Sequence, residues 1–173
     1  MNCHNSISSY CELGLKQSDD YNMKGIEVRI NSVSLNTLIN FYNENDIFNP
    51  PLSSQVTSIE EYIMKLKNNA VIFEAWGNTE LLGLVAAYLN NYETQIGFIT
   101  SVIVSQKYQK QGIAKRLLKK AVEFARNEGF KKIYLKVHRE NIDAISLYKK
   151  FNFSEDKKEL TGNVEIILFK TFL

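Results

Sequence analysis

Residues 102–116 read VIVSQKYQKQGIAKR. They close an apolar run, Ile99 to Val104, pass through the polar turn Ser105 to Gln111, and open at Gly112 into an amphipathic segment reaching about Glu128. A strand, a turn of small and polar residues and a helix start, in that order, aim several unpaired backbone N–H groups at one point, with the positive end of the helix dipole behind them. That is a site for an anion, most naturally a phosphate. An ordinary well-capped strand-to-helix connection can carry similar residues, so the hexapeptide Gln109 to Ala114 needs support from the rest of the chain. Two other phosphate loops are excluded, because neither G-x-x-x-x-G-K-[ST] nor G-x-G-x-x-G after a strand occurs.

Working outward, three strand-like runs precede the turn. Ala70 to Trp76 and Glu80 to Leu89 are joined by Gly77-Asn78-Thr79, a hairpin signal, and Gln95 to Val104 follows the polar turn Asn90 to Thr94. Upstream, Gly25 to Ile30 alternates Ile26, Val28 and Ile30 with charged residues. Ser34 can cap a helix carrying Leu35, Leu38, Ile39 and Tyr42, and Ser58-Ile59-Glu60-Glu61 reads as a capping box opening a second helix to about Asn68. Between these helices, Asp46 to Thr57 contains both prolines of the chain and reads as a stiff loop.

Downstream, Gly112 begins a helix with Ala114, Leu117, Leu118, Ala121, Val122 and Ala125 on its inner face, and Gly129 sits where a left-handed cap belongs. Lys132 to Val137 is the next strand. A strand, helix, strand unit of this length implies that the strands on either side run parallel. Asn141 can cap a helix through Lys150, and Phe153 to Lys157 with Val164 to Phe172 reads as a closing hairpin around Thr161-Gly162-Asn163.

At 173 residues, 45% hydrophobic and 23% charged, the chain suits one globular domain. A net charge of +2, with lysines spread along the chain, gives a nucleic-acid binder no support. Cys3 and Cys11, with His4, lie near the N-terminus and do not make a closed metal site, so they read as free thiols and no metal is expected. No secretory leader or membrane-length apolar run occurs, and the expectation is a cytoplasmic protein without membrane partners. Residues 1–22 are polar and read as an extension ahead of a domain spanning residues 23–173.

The order of elements, the Q-x-x-G-x-A turn and VHRENIDAISLYKKFNF at residues 137–153 together resemble the GNAT superfamily of acetyl-CoA-dependent N-acetyltransferases. The second motif matches through Asn141, Ala144, Leu147, Tyr148 and Phe153; Asn152 stands where the family usually has glycine, and asparagine tolerates the same left-handed turn. The resemblance implies an α/β (α+β) GNAT fold, a central mixed, mostly antiparallel twisted sheet flanked by helices. It also implies acetyl-CoA as cosubstrate. Val102, Ile103 and Val104 would meet the pantetheine arm; Gln109, Lys110, Gln111, Gly112, Ile113, Ala114 and Lys115 would hold the pyrophosphate. Asn141 would bond the pantetheine, and Tyr148 would aim its hydroxyl at the sulfur as the catalytic residue.

A tyrosine of pKa about 10 is a proton donor at neutral pH, but full transfer to a thiolate of pKa about 8.5 runs uphill by about 2 kcal/mol. Hydrogen bonding to the departing sulfur is therefore the expected role. Family members commonly carry a glutamate on the strand before the phosphate turn; here Gln95 to Val102 has no carboxylate. Glu74, Glu80, Glu93 and His138 are the other candidates, and a water relay through Thr100 or Ser101, or an acceptor amine of low pKa, is the alternative. The expected acceptor is a small-molecule primary amine, an amino sugar or amino acid, against a wall that includes Phe48 and Tyr88. Acetylation of a protein N-terminus or lysine and a non-catalytic acyl-CoA sensor are the rival readings. The apolar strand Ile166 to Phe169 could pair across a homodimer.

Overall fold

The computed structural model describes residues 25–45, 52, 56–157 and 164–172. Seven strands form one sheet in the order β1-β2-β3-β4-β5-β7-β6. They are β1 (Ile26–Ile30), β2 (Val71–Gly77), β3 (Glu80–Tyr88), β4 (Ile96–Val104), β5 (Lys132–His138), β6 (Ser154–Glu155) and β7 (Glu165–Thr171). Every neighbouring pair is antiparallel except β4 and β5. The parallel pair follows from the helix between them, since only a crossover returns the chain in the same direction.

Among the described residues, four α-helices flank the sheet: α1 (Leu35–Glu44), α2 (Ile59–Asn69), α3 (Ile113–Asn127) and α4 (Ile142–Lys150). Helices α1 and α2 bury Leu38, Phe41, Tyr42, Ile63 and Leu66 against one face, on Ile72, Leu84, Ala86 and Ile103. Helix α3 and Tyr148 of α4 cover the other, on Phe73, Val85, Ile99, Ile133 and Leu135. Inside α3 the fully buried row begins at Ile113, whereas Ala114 is only half-buried, a correction of one position to the expected inner face. Gly129 ends α3 at φ 81°, with its N–H on Arg126 and that of Phe130 on Ala125, so the left-handed residue satisfies two terminal carbonyls.

Local signals explain the helix starts. Ser34 and Asn141 accept from the backbone N–H of Thr37 and Ala144, each at 3.1 Å. Ser58 accepts from Glu61 N–H at 3.3 Å and its hydroxyl donates to the Glu60 carboxylate at 3.0 Å, so the expected cap forms, with Glu60 bonding the cap's side chain in place of a reciprocal bond from Glu61.

Two features of β4 shape the middle of the sheet. The β3–β4 register runs Ala86 with Ser101 but Ala87 with Ile99, so Thr100 is an extra, bulged residue. The β4–β5 pairing runs from Ile96 with Lys132 to Ile99 with Leu135 and then stops. Beyond the bulge the two strands therefore diverge, and among the described residues β4 keeps β3 as its only strand partner. Strand β7 lies between β5 and β6, with Leu168 and Phe169 paired to Glu155 and Ser154, so part of the edge expected for a dimer is covered within the chain. The expected turn at residues 161–163 lies outside the described residues, as do Phe48, both prolines, Cys3, Cys11 and residues 1–22.

Candidate active site

The divergence of β4 and β5 opens a cleft of about 990 Å³. One wall is β4 from Ile99 to Val104 with the turn and the start of α3; the other is β5 from Leu135 to His138 with α4.

The antiparallel ladder decides which backbone groups of β4 face the cleft. Ser105 N–H donates to Leu82 C=O at 2.9 Å, pairing residue 105 with residue 82 toward β3. By the two-residue alternation, Ile103 also turns toward β3, and the amides of Val102 and Val104 turn to the open edge. The Val104 carbonyl accepts the Gln109 side-chain amide at 3.2 Å, which folds the turn back onto the strand end.

The turn itself is built around left-handed residues. Lys110 (φ 61°) and Gly112 (φ 85°) both lie in that region, at a cost of about 1–2 kcal/mol for a residue with a Cβ. Gly112 meets this without cost, and a Cβ built there would touch nothing within 4 Å, so its outer side is open. A single 3₁₀ turn, Gln106–Tyr108, precedes them. It is anchored by Glu80, which ion-pairs with Lys107 and accepts the Tyr108 hydroxyl at 2.6 Å. These two partners hold the Glu80 carboxyl below its usual range.

Helix α3 differs from the other described α-helices at its N-terminus. Its N-cap is Gly112, no side chain caps it, and no acidic residue lies in its first turn, whereas α1, α2 and α4 each have a side-chain cap. Its first intrahelical donor is Arg116 N–H to Gly112 C=O. The amides before it face the cleft end, where Lys110 and Lys115 add positive charge.

On the opposite wall, Asn141 spends its Oδ1 on the cap, so what remains for a ligand is the pair of Nδ2 donors. Tyr148 is 6% exposed, packs on Phe153 at 5.9 Å between ring centroids, and lines the cleft. Burial pushes its phenol well above the ordinary tyrosine range.

All the residues expected to hold cofactor line this one cleft except Gln111, whose side-chain amide turns back to the Lys107 carbonyl at 3.3 Å. Tyr88 lies on the α1–α2 face, half-buried beside Tyr62, with its phenol raised by burial. On the second wall, Asn141 and Tyr148 were expected, whereas Leu135, Val137, Ser146 and Leu147 were not. The parallel pairing that sets this wall was legible, but where that pairing ends was not.

The base candidates separate cleanly. Glu74 is fully buried and accepts from Ser32 N–H (2.8 Å), Val33 N–H (2.9 Å), the Ser32 hydroxyl and the Trp76 indole (3.0 Å). It fastens the β1–α1 connection to β2 and does not line the cleft. Glu80 is committed to the turn. His138 does line the cleft, with Nδ1 accepting from Glu140 N–H at 3.3 Å. Among the described residues no group of three or more His, Cys, Asp or Glu could hold a metal, and no helix is long and apolar enough to cross a membrane.

Residues 36–153 match the model of the acetyltransferase (GNAT) family, well over half the chain. The chain belongs to the GNAT acetyltransferase family. Over 77 residues, 44% of this chain and 26% of the relative's length, it is 38% identical to GCN5-related N-acetyltransferase 6, chloroplastic, of Arabidopsis thaliana. The chain thus spans about a quarter of that relative. Its fold is that of the ribosomal-protein-S18-alanine N-acetyltransferase of Escherichia coli (TM-score 0.67, 18% identity, 84% of this chain and 94% of that one). It is also that of the PaiA N-acetyltransferase of Thermoplasma acidophilum, solved in complex with coenzyme A (TM-score 0.61, 21% identity, 85% and 99%).

Proposed function

We propose that this GNAT domain transfers an acetyl group from acetyl-CoA to a primary amine of a small molecule, an amino sugar or an amino acid being the preferred acceptor. The observation that carries the reading is the cleft, which joins an uncapped helix N-terminus to an unpaired strand edge. The first suits a pyrophosphate and the second an extended amide-bearing arm. Dimensions agree: the open stretch of β4, Thr100 to Val104, is about 16 Å long at strand rise. The roughly twelve bonds from phosphate oxygen to sulfur in pantetheine span about 15 Å at extended-chain dimensions.

Amides of Ile113, Ala114 and Lys115, with Gly112 allowing close approach, hold the pyrophosphate. Val102 and Val104 pair with the arm through their free edge, and Asn141 donates from the other wall. Bound acetyl-CoA supplies the activated thioester. The amine nitrogen bonds the carbonyl carbon, the carbon–sulfur bond breaks, and Tyr148 donates a hydrogen bond to the departing thiolate. A phenol raised by burial transfers its proton even less readily than an ordinary one, so it stabilises the sulfur without protonating it.

With no carboxylate on β4, the amine proton leaves through water at the bulge. Thr100 is half-buried and lines the cleft, while the Ser101 hydroxyl is buried facing that of Tyr42. A small acceptor is supported by crowding on the α1–α2 face, where the Tyr42 and Tyr62 rings meet edge to face at 6.2 Å and Tyr88 adjoins them.

The test is release of free CoA thiol from acetyl-CoA across a panel of amino sugars, amino acids, polyamines and peptides, with Gly112→Trp as the blocked control. Turnover on a small amine, abolished in the variant, supports the reading. Turnover on peptides alone transfers the function to protein acetylation. Binding of acetyl-CoA with no turnover at all makes the domain an acyl-CoA sensor.

A further inference from the structure

The cleft has an end wall where β4 and β5 begin to pair, and we propose that Ile99 and Leu135, which form it, restrict the acyl donor to acetyl or a group of nearly the same length. This inference rests on the functional reading above. Ile99 and Leu135 are the last register partners before the strands diverge, and both line the cleft. They are 3% and 1% exposed and belong to the same core as Val137 and Tyr148.

The level is closed on the other face of the sheet as well. Phe98 and Tyr134, the preceding register pair, stack there with centroids 4.8 Å apart. An arm of about 15 Å entering at Val104 brings its sulfur to within about one residue of Thr100. The carbons beyond the sulfur then meet the Ile99–Leu135 pair end on. A two-carbon acyl group ends at that wall, whereas a chain of four or six carbons must push into a packed core. Packed cores resist added methylenes strongly enough that a tenfold or greater loss of affinity is expected for the longest chain.

The experiment measures dissociation constants by titration calorimetry for CoA, acetyl-CoA, butyryl-CoA and hexanoyl-CoA, with the full chain and with Leu135→Ala; kcat/KM for each donor runs alongside. In the unaltered protein, hexanoyl-CoA should bind at least tenfold more weakly than acetyl-CoA. In Leu135→Ala the ratio of the two constants should fall at least fivefold. Should that variant not fold, the series on the unaltered protein still decides. CoA binding with acetyl- and hexanoyl-CoA equally tight overturns the wall and leaves the cofactor cleft standing. Failure of CoA itself to bind overturns the cleft, and the wall with it.

Discussion

Replacing Tyr148 by phenylalanine separates chemistry from folding in this protein. The Tyr148 hydroxyl makes no hydrogen bond to another described residue, and its ring is held by packing on Phe153. Removing the hydroxyl therefore strands no protein partner, and the melting temperature should move by less than about 2 °C, the equivalent of about 0.5 kcal/mol in a domain of this size. The loss falls on the reaction. A hydrogen bond to a charged acceptor contributes about 1.5–3 kcal/mol, which at about 1.4 kcal/mol per decade is a fall in kcat of roughly 10- to 150-fold. The CoA dissociation constant should stay within about threefold, because the bond gains its strength only as charge develops on sulfur. Since burial raises the phenol, the unaltered enzyme should show no alkaline fall from this group below about pH 10. The measurements are thiol release under saturating acetyl-CoA, calorimetry with CoA and a thermal melt. A kcat within threefold of the unaltered protein refutes the role, as does a loss that appears equally in CoA affinity.

Two further outcomes follow from the carboxylates outside the cleft. Glu74→Ala leaves the N–H groups of Ser32 and Val33 and the Trp76 indole without their acceptor, at about 1–3 kcal/mol each, so unfolding free energy should drop by at least about 3 kcal/mol in a urea titration. Glu74→Gln, which keeps one acceptor oxygen, should lose less than half of that. Glu80 is held low by Lys107 and Tyr108, so its contribution is complete above the usual glutamate pKa and is lost as pH falls through the lowered value. Ionisation of Glu80 should therefore leave CoA affinity unchanged above about pH 5 and weaken it below about pH 4, and the ratio of the Glu80→Gln constant to that of the unaltered protein should change only across that acid limb in a calorimetric pH series.

Much of this architecture is legible from residue order. The helix caps at Ser34, Ser58 and Asn141, the hairpin signal Gly77-Asn78-Thr79 between β2 and β3 and the left-handed Gly129 are local signals, and each lies where its side chain or φ requires. The turn from Gln109 to Ala114 into α3 is legible for the same reason, since it is written in consecutive residues. What escaped reading depends on pairing across the sheet. Nothing in Ile99 or Leu135 says that they are the last partners, and nothing in Glu74 distinguishes a fastening from a base until Ser32, Val33 and Trp76 are seen around it.

The bulge at Thr100 also changes the phase of β4. Strict alternation would set Gly97, Ile99, Ser101 and Ile103 in one row, yet Ile99 packs with α3 while Ile103 packs with α1 and α2. One inserted residue thus divides nine into two half-strands of opposite parity. The first half finishes the sheet with protein on both edges. The second leaves one edge without a strand among the described residues, and under the proposed function the cosubstrate takes the missing neighbour's place, completing the sheet with a molecule the chain does not encode.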